Sequence, residues 1–199
     1  MLNDDPTRAM NNPNYLDIYK ELCTSYRAID DFRAKLLALL PLATGAGAAF
    51  LLGNITPENQ KYLEPLGFFG FVITVGLFTY EIFGIHKCHA LIKTGKLIEI
   101  RGLNVYGQFK SRPPGVLGLI DEPFAAGIIY PAVLASWMYI ALIFSRPQAS
   151  LLAAVIIFFA GFVGMMVYKG WLQFDGTKFD KQLQEEMKAN SPKESEWSR

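Results

Sequence analysis

Four apolar blocks decide most of what this chain can become. They are Leu36–Leu52, Leu66–Ile85, Ala125–Phe144 and Leu151–Val167. Each is about 17–20 residues long with at most one charge, the length a helix needs to cross roughly 30 Å of hydrocarbon. Buried helices of soluble proteins rarely stay apolar on every face for so long. The expected fold is all-α: a four-helix transmembrane bundle with helical cytosolic segments at the N-terminus, in the central loop and at the C-terminus. The expected segments are a cytosolic stretch over 1–34, spans over 35–53 and 66–86, a cytosolic loop over 87–124, spans over 125–145 and 150–170, and a cytosolic helix and tail over 171–199.

The placement of Lys and Arg orients the bundle. The first interhelical link, Gly53–Pro65, holds only Lys61, and the third, Ser145–Ser150, holds only Arg146. All other basic residues lie in the N-terminal segment, the central loop and the tail. The positive-inside rule then puts both termini and the central loop in the cytosol. The first 34 residues carry Asp4, Asp5, Asp17, Asp30 and Asp31, unlike the charged start of a cleavable signal, so insertion is expected to begin at the first span. Cys23 and Cys88 both fall in cytosolic segments, where reduced thiols are the expectation. A net charge of +1 excludes a strongly basic nucleic-acid binder. Membrane lipids are the expected surroundings.

Within this frame, Tyr15, Tyr19, Leu22, Tyr26 and Ile29 repeat at alternating four and three, an apolar seam of about two heptads. Nothing breaks this helix before Pro41, so it is expected to run straight into the first span. Pro41 itself removes one helical hydrogen bond and invites a kink. Small residues recur in three spans: Ala43, Gly45, Gly47 and Ala48; Gly67, Gly70 and Gly76; Ala160, Gly161 and Gly164. Such positions let helices approach closely, within one bundle or between subunits. In the tail, Thr177 is expected to cap a separate helix, with Asp180 completing a capping box.

Two clusters invite chemistry. His86, Cys88 and His89 offer metal-ligating atoms, but Cys88 does not share the face of the two histidines, and no CxxC or HExxH spacing is present. The expected reading is a helix end facing the cytosol, with no metal. Glu81 is a carboxylate near the end of the second span. It either faces a water-filled path or pairs with Arg33 or Lys35 across the bundle. Asp121 and Glu122, with Lys110 and Arg112, read as a solvated loop with internal ion pairs. No Gly-x-Ser-x-Gly, Walker or dinucleotide pattern appears. No cofactor is implied and no catalytic constellation is found.

The stretches "DFRAKLLALLPLATG", "GLFTYEIFGIHKCHALI", "GQFKSRPPG" and "IIYPAVLASW", in that order, resemble a group of small bacterial four-span integral membrane proteins. The resemblance covers roughly Ile29 to Trp137. It implies a bacterial inner-membrane protein and carries no activity. Taken with the residues, the leading expectation is a non-enzymatic, oligomeric channel, pore or membrane effector gated from the cytosolic side. The alternative is an accessory or assembly subunit of a larger membrane complex. The spans hold few polar pore-lining residues (Thr44, Thr74, Thr79 and Ser136), and that sparseness favours the alternative.

Overall fold

The computed structural model describes residues 13–53, 55–58, 60–103, 105, 107–112 and 121–190. The expectations for residues 1–12, for the Pro113-Pro114 turn and the approach to the third span, and for the tail beyond Asn190 lie outside the described residues.

Four long helices make up the fold: α1 (Pro13–Gly53), α2 (Leu63–Leu97), α3 (Glu122–Leu142) and α4 (Pro147–Asn190). A single 3-10 turn, Gln60–Tyr62, precedes α2, and a π-helical turn, Ile98–Gly102, follows it. All four helices are long and apolar enough to cross a membrane. The chain is an all-α, multi-pass integral membrane protein.

α3 sets the scale. Its 21 residues span about 31 Å, one hydrocarbon thickness. α1 and α4 have 41 and 44 residues, roughly 60 Å and more. Short links tie α1 to α2 and α3 to α4 at one end. The excess length of α1, α2 and α4 therefore projects at the other, where the π turn and the start of α3 also lie. We call this the loop end.

Packing is centred on α3, which lies between α2 and α4. α2 and α3 run antiparallel in close contact. A Cβ on Gly67 would fall 2.5 Å from the backbone nitrogen of Ala141, and one on Gly70 would fall 2.3 Å from the Trp137 ring. Phe78 stacks on Tyr130 at 5.1 Å. Against α4, Gly161 meets Pro131 and Gly127 meets Met165. The core is Ile85, Ala126, Tyr130, Met165 and Leu172.

α1 is different. Only 6% of its most apolar window is buried, against 44% for α3. Its helix runs unbroken through Pro41. The apolar seam at its loop end does pack: Leu22 is buried, and Tyr19 and Tyr26 meet the buried Phe109 edge-on at 5.9 and 5.6 Å.

The tail departs from expectation. There is no separate helix capped by Thr177, because α4 is continuous from the membrane to Asn190. Thr177 Oγ1 instead donates to the Gln173 carbonyl at 2.8 Å, and Asp180 is taken by Lys96. Buried Leu172 and Leu183 hold both sides of Gly176 to the bundle, so packing outweighs the local breaker signals.

Candidate functional site

Arg33 is the centre of the polar chemistry at the loop end. Its side chain is 2% exposed and Glu81 is 0% exposed. Arg33 Nε and Nη2 both donate to Glu81 Oε1, at 3.0 and 2.6 Å. Arg33 Nη1 donates to Glu122 Oε2 at 2.8 Å and lies 4.0 Å from Asp30 Oδ1. Glu122 Oε1 accepts from Arg112 Nη2 at 2.5 Å, and the Arg112 guanidinium sits over the Tyr26 ring at 5.4 Å. One guanidinium thus joins α1, α2 and α3. Gly84 leaves the space it needs, since a Cβ there would fall 2.9 Å from Arg33 Cδ.

Two carboxylates flank one always-charged guanidinium, so the central charge is compensated where burial would otherwise penalise it. Glu122 is the first residue of α3, so the cluster lies at the loop end of the shortest apolar helix. Glu81 Oε2 and the Tyr130 hydroxyl are buried with no hydrogen-bond partner among the described residues.

A second buried carboxylate lies farther out. Glu99, in the π turn, is 0% exposed and faces neutral donors. Tyr19 Oη donates to Oε1 at 2.7 Å, the Phe109 amide to Oε1 at 2.9 Å, and the Lys110 amide to Oε2 at 2.8 Å. The extra residue of the π turn turns Glu99 inward, and the 107–110 turn closes over it. Burial, with Glu99 as neighbour, raises the Tyr19 phenol far above its ordinary value. α1 is therefore fixed to the end of α2 at two heights.

The remaining sequence candidates separate. Lys35 does not reach Glu81; it pairs with Asp31 one turn back at 2.6 Å, both side chains about two-thirds exposed. His86, Cys88 and His89 diverge. His86 stacks on Trp171 at 6.1 Å. Cys88 is buried, with its Sγ 3.8 Å from Arg33 Nη1; burial pushes its thiol up while Arg33 opposes. His89 Nε2 lies 3.2 Å from Asp175 Oδ2. Among the described residues no three His, Cys, Asp or Glu side chains are placed to share a metal ion. The hydroxyls of Thr74, Thr79 and Ser136 each donate to the carbonyl four residues back on their own helix, and Thr44 and Thr74 line one mostly apolar cavity between α1 and α2.

Beyond the cluster, α2 and α4 run parallel, and ion pairs join them in addition to the His86–Trp171 stack and the Lys93 ammonium over the Phe179 ring at 5.4 Å. Asp175 Oδ2 takes Lys93 at 2.5 Å, Lys96 takes both oxygens of Asp180 at 2.8 Å, and Arg101 pairs with Glu186. Burial lowers the His89 pKa, with Asp175 opposing.

Sequence reasoning named Arg33 as one of two partners for Glu81. It missed Glu122 as the third member and Glu99 altogether. An acidic residue at the start of a span was a readable signal for Glu122. The π turn that buries Glu99 has no such signature. No protein-family model, curated protein or solved structure matches the chain.

Proposed function

We propose that this protein is a non-enzymatic membrane subunit that acts by assembling with other membrane helices through α1. The observation that supports this reading is the state of the first span's small residues. A Cβ added at Gly45, Gly47 or Gly53 would meet nothing within 4 Å. Leu39, Leu42 and Phe50 are exposed along the same span. In a bilayer lipid tails cover such a face adequately, but small residues exchange side-chain contact for close backbone approach, which only another helix exploits. The occupant is a second copy of the chain or a partner membrane subunit. In this reading both termini and the 98–121 connection face the cytosol of a bacterial inner membrane.

The pore reading keeps one supporting observation. α1 is a single helix from Pro13 to Gly53, so movement at the Glu99 contact reaches the span directly. Within one bundle, however, Glu81 is held by Arg33 and fully buried, so ions would have to pass between copies.

The test is cross-linking in membranes. With Cys23 replaced by Ser, Gly47→Cys should form a covalent dimer, or a covalent adduct with a partner, under mild oxidation. Cysteine at Val72, exposed on α2, serves as the comparison. Equal cross-linking at both positions would contradict the proposal. Cation flux from liposomes holding only this protein would move the reading to a pore.

A further inference from the structure

A cleft of about 530 Å³ opens between α2 and α4 at the loop end. Its base is apolar, with Ile85 and Leu172 both buried. Its rim carries three cations and three carboxylates: Lys96, Arg112 and Lys169 against Asp121, Glu122 and Asp180. They already stand as alternating pairs: Lys96 with Asp180 at 2.8 Å, Arg112 with Glu122 at 2.5 Å, and Lys169 with Asp121 at 3.0 Å.

We propose that this cleft binds one zwitterionic phosphoester headgroup bearing a primary ammonium, delivered by a membrane phospholipid. Three features converge on that ligand. The first is height. Glu122 opens α3 and Lys169 closes the fourth apolar block, so the rim lies where headgroups lie, with the apolar base continuing toward the acyl chains. The second is charge. The rim is neutral as a set, so a ligand of net charge would leave one sign uncompensated at a low-dielectric boundary. A zwitterion satisfies both signs, its phosphate oxygens accepting from the Arg112 and Lys169 donors while its ammonium donates to the carboxylates. The third is hydrogen-bonding capacity. Each carboxylate has about four lone-pair sites, more than the internal pairs occupy, and a primary ammonium offers three donors. A trimethylated ammonium offers none.

The test is native mass spectrometry of the detergent-purified full chain. Phosphatidylethanolamine, phosphatidylcholine and phosphatidylglycerol are titrated separately, and free phosphoethanolamine is a fourth arm. One phosphatidylethanolamine should be retained per chain, with roughly tenfold weaker retention of the other two lipids. Lys169→Gln with Asp180→Asn should remove that preference. If the double variant does not fold, Lys96→Gln, at the outer rim, should still weaken retention severalfold in a preparation that unfolds cooperatively. Equal retention of the three lipids, or an unchanged preference in a folded variant, would overturn the proposal. Free phosphoethanolamine stabilising the protein as well as the lipid does would overturn the lipid source.

Discussion

Gly67 and Gly70 of the second span and Gly45 and Gly47 of the first meet opposite surroundings, while Gly76 of the second span, like those of the first, faces open space. On α2, Gly67 and Gly70 are filled by Ala141 and Trp137 of α3, closely enough that even a methyl group would collide. On α1, Gly45 and Gly47 face open space. The contrast reverses toward the loop end. There α1 is fixed by two buried carboxylates, Glu81 through Arg33 and Glu99 through Tyr19. α1 is thus held by specific polar contacts at its loop end, while in its apolar half Leu37, Leu40 and Thr44 pack on the bundle and the face of Gly45 and Gly47 is left open. Small residues alone do not say which helix they serve. That is decided by whether the chain's own neighbours already fill the space.

The largest expected effect comes from breaking the polar anchor. Arg33→Met leaves Glu81 buried without its cation and Glu122 without one of two. Breaking a buried pair in this way costs about 3–5 kcal/mol. A denaturation midpoint in detergent within experimental error of wild type would remove the anchor from the account.

Next is Gly67→Ala, which should separate α2 from α3. Overpacking of this kind costs about 1–3 kcal/mol, and the obstacle here is Ala141 backbone rather than a flexible side chain. Unfolding titrations should show the loss directly. A neutral result would mean that the α2–α3 contact is looser than described.

A smaller effect tests the ion-pair ladder. Burial depresses the His89 pKa below its ordinary value of 6.5, with Asp175, Lys93 and His86 as charged or titratable neighbours. The folded state therefore binds fewer protons than the unfolded state as pH falls through 6.5, and stability is lost in that direction. The melting temperature should drop between pH 7.5 and pH 5.5, and His89→Gln should flatten that slope. The Asp175 pKa is itself lowered, first by its bond to Lys93, so its contribution is present above the ordinary carboxylate range and lost only at lower pH. An identical slope in the variant would show that His89 does not report on the ladder.

The smallest effect is Gly47→Ala. With nothing within 4 Å, it should leave the stability of the single chain within about 0.5 kcal/mol, or raise it slightly through helix propensity. Comparable losses at Gly47 and Gly67 in a monomeric preparation would erase the contrast between the two spans.

Much of the fold was readable in the sequence because the bilayer imposes a length. Runs near 20 apolar residues have few other uses, and Glu81, alone in its span, needed a partner. The limits have physical causes. Lys35 and Arg33 were equivalent by charge and distance along the chain, but Arg33 lies on the face toward α2 and Lys35 does not. Glu122 was read as part of a solvated loop, because its closeness to Arg33 depends on how α3 begins. Glu99 is buried by a π turn, which no residue pattern announces. Thr177 and Asp180 suggested a helix start that tertiary packing overrides.

On the proposed function, the open face of α1 is an assembly surface. The most direct test is the mass of the protein in native-like lipid particles, compared with that of Gly45→Leu/Gly47→Leu. The wild type should form a complex larger than one 22.3 kDa chain, and the double variant should be released to a single, still-folded chain. A wild type that runs as one chain without a partner, or a double variant whose complex is unchanged, would contradict it.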